Sequence, residues 1–583
     1  MFRAAVLIVA LAAPGAFAAQ PSWIEESNRD AQILLDVMAR YNAEVAASLG
    51  VEGRDSDILD LKPQFSERQE TDLAAAIGRL EQLRGSAAEP LVRRDLDILI
   101  GAARDQKRSL ELGRELTLPF FDLGQAVFSG FQNLIDSRIP KERQKAALTR
   151  LHRYVGAERG YEPITTLARK RYEEQAGNAK LIGPWTVEAQ QYLDNQPRYL
   201  DGIEKLLQES GLKGWQKDMQ TLRKQFGEYG KWATETVLPR ARKTNQLPPE
   251  LYADALRRVG VQMDPHEIMA RALASYQQTR GEIEPLARRI AEEHQWTRTD
   301  YRDVIRELKK QRIPDDQLLS FYTRRLDQIE AIIRRENFVT LPQRKAAIRL
   351  ATLAESAAGP APHIDPPRLI GNTGEPAEFV LPTSNPNAAP GTVMDDFNYD
   401  AIAWTLTAHE ARPGHELQFA NMLEQGVSTA RVIFALNSAN VEGWALYAEA
   451  ALKRYLPPEG QLGTLQMRMM REARAFLDPM LNLGLIQPDA AKRFLMEEVM
   501  LSEPMAKQEV DRYTFQAPGQ ATAYFYGYSR LNAMRTRLEL ALAGRFDEHR
   551  YHDFIVAQGP LPFDLLEQAV NEEFLGRAAS GGQ

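Results

Sequence analysis

The sequence predicts a mostly α-helical protein of two lobes, with a small β element ahead of its most distinctive helix. Between Pro21 and about Leu353, apolar residues recur at spacings of three and four between charged faces, as in residues 30–47 and 301–312, which is typical of amphipathic helices. Helical patterns resume at Tyr399, after a segment crowded with proline. A chain of 583 residues is too long for one simple core, which favours two or more lobes with room for a cleft.

The first 18 residues predict a secretory signal peptide rather than a part of the fold. Arg3 gives a short positive segment, residues 4–13 give an apolar segment, and residues 16–18 give a cleavage site before Ala19. No later run reaches the roughly 18 uninterrupted apolar residues of a membrane-spanning helix. The sequence also has no cysteine for lipid attachment or for disulfides. We therefore expect a bacterial protein that is periplasmic or secreted, without membrane association after the signal is cleaved.

Residues 19–358 form the predicted N-terminal helical region, and residues 359–398 form a segment of different character. Residues 359–391 contain eight prolines and four glycines, which is too many for a helix. Short strands are predicted at 377–381 and 392–394, around a turn rich in asparagine and proline. A strand at a sheet edge could pair with an extended peptide, although the segment also fits a linker between lobes.

The composition excludes several classes of partner and of chemistry. The formal net charge is −7, so there is no basic excess to bind nucleic acid phosphates, and no block of lysine and arginine suggests docking on a membrane. Without cysteine, there can be no thiolate nucleophile, cysteine-ligated zinc or iron–sulfur cluster. Among the eight histidines, His549 and His552 form a pair in a charged context and are predicted to lie at a solvated helix start.

Residues 399–578, the predicted zinc-binding catalytic region, contain the most informative motif of the chain. It runs His409-Glu410-Ala411-Arg412-Pro413-Gly414-His415. Two imidazoles with a nearby carboxylate are the ligand set of a catalytic zinc, and the glutamate after the first histidine is the usual general base. The spacing differs from the familiar His-Glu-x-x-His, because at about 100° per residue histidines six apart point to different sides of a helix.

Pro413 and Gly414 supply a break in this helix. Proline cannot donate to the carbonyl of His409 and its ring clashes with that carbonyl, while glycine tolerates the backbone angles that follow. We therefore predict that the chain loops out two residues and returns His415 to the side of His409. The alternative is a buried, hydrogen-bonded cluster, but glutamate is rarely buried unpaired, and a metal ion would compensate that cost.

A second predicted helix, residues 431–456, carries two candidates for the third ligand. Glu442 and Glu449 are seven residues apart and therefore face the same way. The spacing leaves the choice between them open. Trp444 and Tyr447 are three apart on the same helix and are expected in the core.

Three motifs in this order resemble one family of bacterial proteins, domain of unknown function 885, whose pattern combines HExxPGHxLQ, EGWALYxE and RY…PGQAxxYxxG. The corresponding stretches of this chain are residues 409–418, 442–449 and 512–527. The helical region before them is similar to the N-terminal part of the family. Its members resemble gluzincin metallopeptidases of the helical, deep-cleft kind, which includes oligopeptidases, carboxypeptidase Taq and angiotensin-converting enzyme.

The resemblance implies a two-lobed helical metallopeptidase with a deep central cleft and one zinc ion per chain. It implies zinc ligands at His409, His415 and Glu442, with Glu410 as the general base. On this interpretation, Glu449 does not bind the zinc ion but accepts a hydrogen bond from the free ring N–H of a ligand histidine.

The resemblance also implies a late tyrosine as hydrogen-bond donor to the oxyanion. Tyr524 is our choice, with Tyr528 as a competitor four residues on, although tyrosines at this spacing also fit a packed aromatic stripe. Arg512 and Tyr513 are candidates to hold a substrate carboxylate. A structural salt bridge is the more common fate of an arginine beside Asp511.

Two positions depart from the family pattern. Glu416 occupies a position where relatives often have a second histidine, which leaves His415 as the second ligand. Asn482 occupies a position where a histidine is expected, which puts any role of that histidine in question.

These features together predict an exported zinc peptidase that hydrolyses short oligopeptides, with Glu410 activating a water at the zinc. Two alternatives stay open. The first is a peptide- or metal-binding protein that has lost catalysis, which Asn482 suggests and the retained Glu410 argues against. The second is a zinc hydrolase of a non-peptide amide or ester.

Overall fold

The structure is a computed structural model that describes residues 22–136, 138–352, 355–356, 361–372, 374–383 and 394–576. The predicted signal peptide lies outside these residues, as do the first two residues of the strand predicted at 392–394. The described chain is mostly helical with one small sheet, which confirms the predicted fold class. Two lobes and a cleft between them stay a prediction.

Helices occupy the N-terminal half, as the apolar spacing predicts. Capping side chains begin several of them; the carboxylate of Asp264, for example, accepts a hydrogen bond from the backbone N–H of His266. None of the helices in the described ranges is both long and apolar enough to cross a membrane. The helices are α1 (Ser22–Tyr41), α2 (Ala43–Ser48), α3 (Phe65–Ser86), α4 (Pro90–Leu116), α5 (Leu123–Gln132), α6 (Lys141–Gln144), α7 (Ala146–Tyr154), α8 (Ile164–Ala176), α9 (Thr186–Ser210), α10 (Gln216–Thr236), α11 (Pro249–Arg258), α12 (Pro265–Glu293), α13 (Tyr301–Lys309) and α14 (Leu318–Arg335), with 3₁₀ turns at Leu238–Arg240 and Asp315–Gln317.

Three short strands follow: β1 (Ala347–Leu350), β2 (His363–Asp365) and β3 (Glu378–Leu381). Their order is β1-β3-β2, with β1 parallel and β2 antiparallel to β3. The strand predicted at 377–381 therefore exists, but it is the central strand and not an edge. The edge strand β2 contacts the turn at Thr407–Ala411, which carries His409 and Glu410.

The C-terminal half is again helical, and its helices are interrupted by wide π-helical turns. The helix predicted at 431–456 is wrong at its start, because Asn437 accepts a hydrogen bond from the N–H of Asn440 and begins the helix at Ser438. The elements are α15 (Asp400–Leu406), a π turn (Thr407–Ala411), α16 (His415–Gln425), a π turn (Ala430–Phe434), α17 (Ser438–Leu452), a 3₁₀ turn (Lys453–Tyr455), α18 (Pro458–Asn482), α19 (Pro488–Glu497), α20 (Glu503–Asp511), a π turn (Arg512–Gln516), α21 (Thr522–Leu542), a 3₁₀ turn (Ala543–Arg545), α22 (Glu548–Ala557), α23 (Phe563–Ala569) and a π turn (Val570–Leu575).

Buried apolar side chains form two large clusters. The first belongs to residues 58–237 and includes Phe131 and Tyr172. The second belongs almost entirely to residues 252–570 and includes Trp444 and Phe476. The second cluster includes residues on both sides of His409 and His415, such as Ala408, Ala411 and Leu417. The segment that carries the two histidines is therefore packed into this core.

A buried carboxylate joins the first helices to the C-terminal half. Asp95 of α4 is 0% exposed. It accepts hydrogen bonds from Ser27 of α1 at 2.6 Å, from the Nε of Arg431 at 2.8 Å and from Ser428. Since a buried charge is stable only when it is paired and hydrogen-bonded, this network fixes the N-terminal helices against the later part of the chain.

His552 corrects one sequence prediction. It lies in the first turns of α22, as expected, but it is 0% exposed rather than solvated. The hydroxyl of Tyr447 lies 2.9 Å from its Nε2, and its Nδ1 lies 2.7 Å from the carbonyl oxygen of Phe338. Glu548, four residues before His552 on the same helix, forms salt bridges with Arg454 and Arg535, so a charged neighbour in sequence does not place His552 at the surface.

Candidate metal centre

The two motif histidines lie side by side. His409 is in the π turn that follows α15, and His415 is the first residue of α16. Their ring centroids are 4.7 Å apart with an angle of 83° between the planes. The wide turn and the break after it thus bring together two residues that one continuous helix would separate, as the proline and glycine predict.

Gly414 allows the close return of the chain. A Cβ at this position would lie 1.9 Å from the carbonyl oxygen of His409 and 2.6 Å from that of Ala408. No other residue fits without moving the backbone. On the far side of the break, the indole N–H of Trp444 donates to the carbonyl oxygen of Pro413 at 3.0 Å, so α17 holds the turn in place.

Glu442 of α17 completes a set of three ligand groups. Its Oε2 lies 3.4 Å from the Nε2 of His409 and 3.2 Å from the Nε2 of His415. One potential ligand atom from each residue lies within 4.8 Å of the other two. Two imidazoles and a carboxylate at this separation are a suitable donor set for a zinc ion that keeps an open coordination position.

Two buried atoms of this group lack a hydrogen-bond partner among the described residues. Glu442 Oε2 and His415 Nδ1 are both buried and make no hydrogen bond. A buried carboxylate oxygen without a hydrogen bond is costly in a protein that holds no cation there. A metal ion between the side chains would satisfy Glu442, so the residues present fit the ion.

Glu449 lies behind His409, on the side away from Glu442. Its Oε1 is 2.5 Å from the Nδ1 of His409, and its Oε2 accepts a hydrogen bond from Thr405. The side chain is 1% exposed. Since Nδ1 of His409 faces Glu449 and Nε2 faces Glu442, the arrangement matches that of a ligand histidine oriented by a carboxylate.

The electrostatics of the group favour a positive charge. Burial lowers the pKa of His409, but the charge of Glu449, the hydrogen bond with Glu449 and the nearby carboxylate of Glu442 raise it to about 9. Burial raises the pKa of Glu442, and the two histidines more than reverse this and hold it well below its usual range. Both shifts mean that this buried pocket stabilises a cation next to its carboxylates.

Glu410 and Tyr524 both lie next to His409. Glu410 is 8% exposed, and its charge contributes to the raised pKa of His409. The ring of Tyr524, from the first turn of α21, stacks on the His409 ring with centroids 6.3 Å apart and 14° between the planes. Among the described residues, Tyr528 makes no ring contact with His409, and the charges that most affect its pKa are those of Arg468 and Glu472.

Arg512 and Tyr513 occupy different environments although they are neighbours in sequence. Arg512 donates to the hydroxyl oxygen of Tyr524 at 3.0 Å and to Gln520. Tyr513 is 0% exposed and donates to Glu509 at 2.6 Å, which in turn accepts two hydrogen bonds from Arg474. Arg512 is therefore next to the site, whereas Tyr513 lies in the core behind it.

Glu416 and Asn482, the two residues that depart from the family pattern, are both hydrogen-bonded in the structure. The carboxylate of Glu416 is 0% exposed and accepts two hydrogen bonds from Arg412, so it is paired with an arginine and lies outside the candidate ligand set. Asn482 donates to the carbonyl oxygen of Tyr513 at 2.9 Å and to Asp478 at 3.1 Å. Asp478 itself accepts from the N–H of Gly519, so this pair anchors the turn before Tyr524.

Sequence reasoning missed two features of the site. The first is a pair of arginines of α18, Arg471 and Arg474, which lie over the ring of Tyr524 at 5.9 and 4.5 Å from its centroid. Their spacing in the sequence gives no indication of this contact.

The second feature is the crossing of α17 and α21 at Gly443 and Gly527, where a Cβ on Gly527 would lie 1.9 Å from the carbonyl oxygen of Ala439. The glycine in each of the two motifs is the signal that could have shown this contact.

Comparison with known proteins gives relatives of unknown function. Two solved structures are similar over 95% of this chain and 100% of their own: a candidate lipoprotein from Colwellia psychrerythraea, with a TM-score of 0.76 and 19% identity, and a candidate lipoprotein of unknown function from Shewanella oneidensis, with a TM-score of 0.74 and 18% identity. They establish a shared fold. No curated protein matches the chain in sequence. The profile of one family matches residues 44–570, nearly the whole chain, and the protein therefore belongs to the family described as bacterial protein of unknown function, DUF885.

Proposed function

We propose that the protein is an exported zinc-dependent peptidase that hydrolyses peptide bonds of short peptides. The observation that carries this proposal is the donor set of His409, His415 and Glu442, whose ligand atoms converge within 4.8 Å. Glu410 immediately follows a ligand histidine, and Glu449 orients that histidine from behind. A site that only bound metal would have no need of the base.

Metal binding and proton transfer are assigned to different residues of the site. His409, His415 and Glu442 would hold the zinc ion, which when bound polarises the carbonyl of the substrate and lowers the pKa of a water. Glu410 takes the proton from the attacking water and delivers it to the leaving amine. Its position beside His409 and its slight exposure fit a base that meets water on one side only.

Tyr524 is suited to stabilise the oxyanion that develops on the substrate. Because Arg512 already donates to its hydroxyl oxygen at 3.0 Å, the hydroxyl proton is free to be donated to the substrate. Burial raises the pKa of Tyr524, and the charge of Arg512 opposes the shift without reversing it. The hydroxyl therefore keeps the proton that an oxyanion donor needs.

The edge strand β2 offers a means of holding an extended peptide. Within the part of the chain that the structure describes, it pairs with β3 and with no other strand, and it contacts the turn that carries His409 and Glu410. An extended substrate that added to this edge would lie alongside the metal site and would form main-chain hydrogen bonds independent of its sequence. This favours short, unfolded peptides over folded proteins.

Export to the periplasm or beyond it is part of the proposal. It is supported by the signal-like first 18 residues and by similarity in fold to two candidate lipoproteins. Those proteins are named for lipid attachment, whereas the present sequence has no cysteine. A soluble exported form is accordingly proposed.

The proposal is tested by metal analysis and by a peptide library. The purified protein should carry close to one zinc per chain, and His409→Ala and His415→Ala should each lose most of it. The zinc form should cleave members of a mixed oligopeptide library, detected by mass spectrometry, and the products report whether cleavage is internal or terminal. Full zinc occupancy without cleavage of any peptide would favour a binding protein, and cleavage of simple esters alone would favour a non-peptide hydrolase. Full zinc occupancy in both His409→Ala and His415→Ala would show that these histidines do not bind the metal.

A further inference from the structure

A cavity of about 600 Å³ lies among the N-terminal helices, lined only by residues between 42 and 171. Most of its wall is apolar and includes Phe65, Leu110, Phe120 and Val127. Binding sites for small molecules are commonly about 300–1,000 Å³ in volume and mostly apolar, with a few polar groups that set orientation. The cavity has the size and the lining of such a site, and none of the metal-centre residues takes part in it.

Arg171 of α8 is the one cation that the described residues contribute to the wall of this cavity. Its guanidinium carbon lies 4.0 Å from the centroid of the Phe65 ring. Across the described ranges, no carboxylate forms a salt bridge with it and no acceptor takes a hydrogen bond from it. Burial lowers its pKa to about 10, opposed only by the charge of Glu174 on the same helix. A partly buried cation without a partner is costly, and an anion in the cavity would relieve that cost.

A second polar group without a partner lies at the same end of the cavity. Gln69 is four residues from Phe65 on α3, so the two side chains share a face. It is 1% exposed, and its Oε1 is buried without a hydrogen bond. Because an amide can present either its oxygen or its NH₂ group, Gln69 is able to add a donor beside Arg171 when an anion arrives.

The acidic residue in the wall does not neutralise Arg171. Glu44 accepts hydrogen bonds from the hydroxyl of Tyr154 and from the backbone N–H of Leu59, each at 2.7 Å. Its charge is not among those that influence Arg171. Among the described residues, the cavity thus has a mostly apolar wall with a few neutral polar side chains, such as Asn42, Gln106 and Asn133, and one unpaired cation with an unpaired amide near it.

We propose that this cavity binds a fatty acid, with its carboxylate on Arg171 and its acyl chain along the apolar wall. A single anionic end group matches the single cation, and an unbranched chain makes no demand for further polar partners. A peptide fits less well, because each of its residues brings an N–H and a C=O that need hydrogen bonds inside the cavity. This proposal does not depend on the metal centre.

The test uses dodecanoate and isothermal titration of the full-length protein. We expect one dodecanoate per chain, and Arg171→Met should weaken binding by about 10- to 100-fold, as loss of a charge-assisted hydrogen bond does. Dodecanol, which has the chain without the charge, should bind wild type no better than dodecanoate binds that variant. Ala126→Trp, which fills the cavity, should remove binding. Lys170→Met, at an exposed position of the same helix that pairs with Glu162, is the matched control and should leave affinity unchanged.

Thermal unfolding separates a ligand role from a structural one. Arg171 forms no ion pair with any described residue, and methionine can keep the apolar contact with the Phe65 ring. Arg171→Met should therefore unfold at a temperature close to that of wild type, whereas loss of an arginine held in a structural salt bridge would lower it. The proposal is overturned if wild type does not bind dodecanoate, if Arg171→Met binds it equally well, or if an apolar tetrapeptide binds in the cavity and dodecanoate does not.

Discussion

Glu442 and Glu449 have the same chemistry and face the same way along α17, yet their surroundings differ. Glu442 has an oxygen 3.2 to 3.4 Å from both imidazoles and no hydrogen bond to that oxygen. Glu449 is bonded to Nδ1 of His409 and to Thr405, and it faces Arg471 at 3.6 Å. At the scale of single residues, these partners fit Glu442 as the proposed ligand and Glu449 as the carboxylate that would orient His409.

The role of Glu449 gives the first prediction. Glu449→Ala removes the acceptor for Nδ1 of His409 and should weaken zinc affinity by about 10- to 100-fold, measured by competition with a chelator. Glu459→Ala removes a carboxylate 2.9 Å from His294 at a distant, partly exposed pair, and it should leave zinc affinity unchanged. If Glu449→Ala strips the metal completely while Glu442→Ala retains it, the two roles are reversed.

The second prediction concerns Glu410, which on our proposal touches water and not the metal. Glu410→Gln keeps the size and hydrogen-bonding capacity of the side chain but cannot take a proton. Turnover of a cleaved peptide should fall by at least about 10²-fold, as expected for loss of a general base. Zinc content and peptide affinity, the latter measured by calorimetry on the variant, should stay close to wild type. Turnover within about tenfold of wild type would rule out proton transfer by this residue.

At the scale of elements, the site depends on close approaches of backbones. After the π turn, the backbone at Gly414 packs directly against the carbonyl groups of Ala408 and His409. Helix α17 crosses α21 where Gly443 and Gly527 are in contact. The indole of Trp444 joins α17 to the break by its bond to Pro413. The glycines of the three motifs therefore control the distances between the elements that carry the ligands and Tyr524.

Gly414→Ala is the third prediction. The new Cβ would lie 1.9 Å from the carbonyl oxygen of His409, so the turn must open and separate the two histidines. We expect loss of most of the zinc and a fall in the free energy of unfolding of about 1–3 kcal/mol, measured by metal analysis and denaturant titration. The control is Gly78→Ala in α3, where a Cβ meets nothing within 4 Å; it should be neutral or stabilising by up to about 1 kcal/mol. A Gly414→Ala variant with full zinc and wild-type stability would show that the close return is incidental.

At the scale of the whole molecule, buried polar side chains join parts of the chain that are far apart in sequence. Asp95 joins α1 and α4 to the segment at Ser428 and Arg431. His552 joins α22 to Tyr447 and to Phe338. Burial lowers the pKa of the His552 imidazole, so the stability of the fold depends on pH through this residue.

The fourth prediction is a pH dependence of stability due to His552. Burial lowers its pKa to about 4, below the roughly 6.5 of an exposed imidazole. Between about pH 6.5 and about pH 4, this histidine is protonated in the unfolded chain but stays neutral in the folded chain. The free energy of unfolding therefore decreases by up to about 1.4 kcal/mol for each pH unit that the pH falls. His552→Gln should make this decline shallower in denaturant titrations over that range. Tyr447→Phe, which keeps the imidazole, should preserve it, and equal slopes in wild type and His552→Gln would contradict the prediction.

Much of the fold followed from local patterns in the sequence. The three- and four-residue spacing of apolar residues predicted the helices, and the excess of proline in 359–391 predicted an interruption that contains β2 and β3. Pro413 and Gly414 predicted the break that pairs His409 with His415, because a missing N–H and a missing Cβ act within a few residues of their own position.

Only the tertiary structure decided what depends on elements distant in sequence. The choice of Glu442 over Glu449 as neighbour of both imidazoles, the proximity of Tyr524 rather than Tyr528 to His409, and the burial of His552 all depend on how α17, α21 and α22 pack. Helical periodicity gives the face on which a residue lies, but it does not say which other helix covers that face. The ligand types and the break were therefore determined by the sequence itself, whereas the assembly of the site was determined by packing between helices.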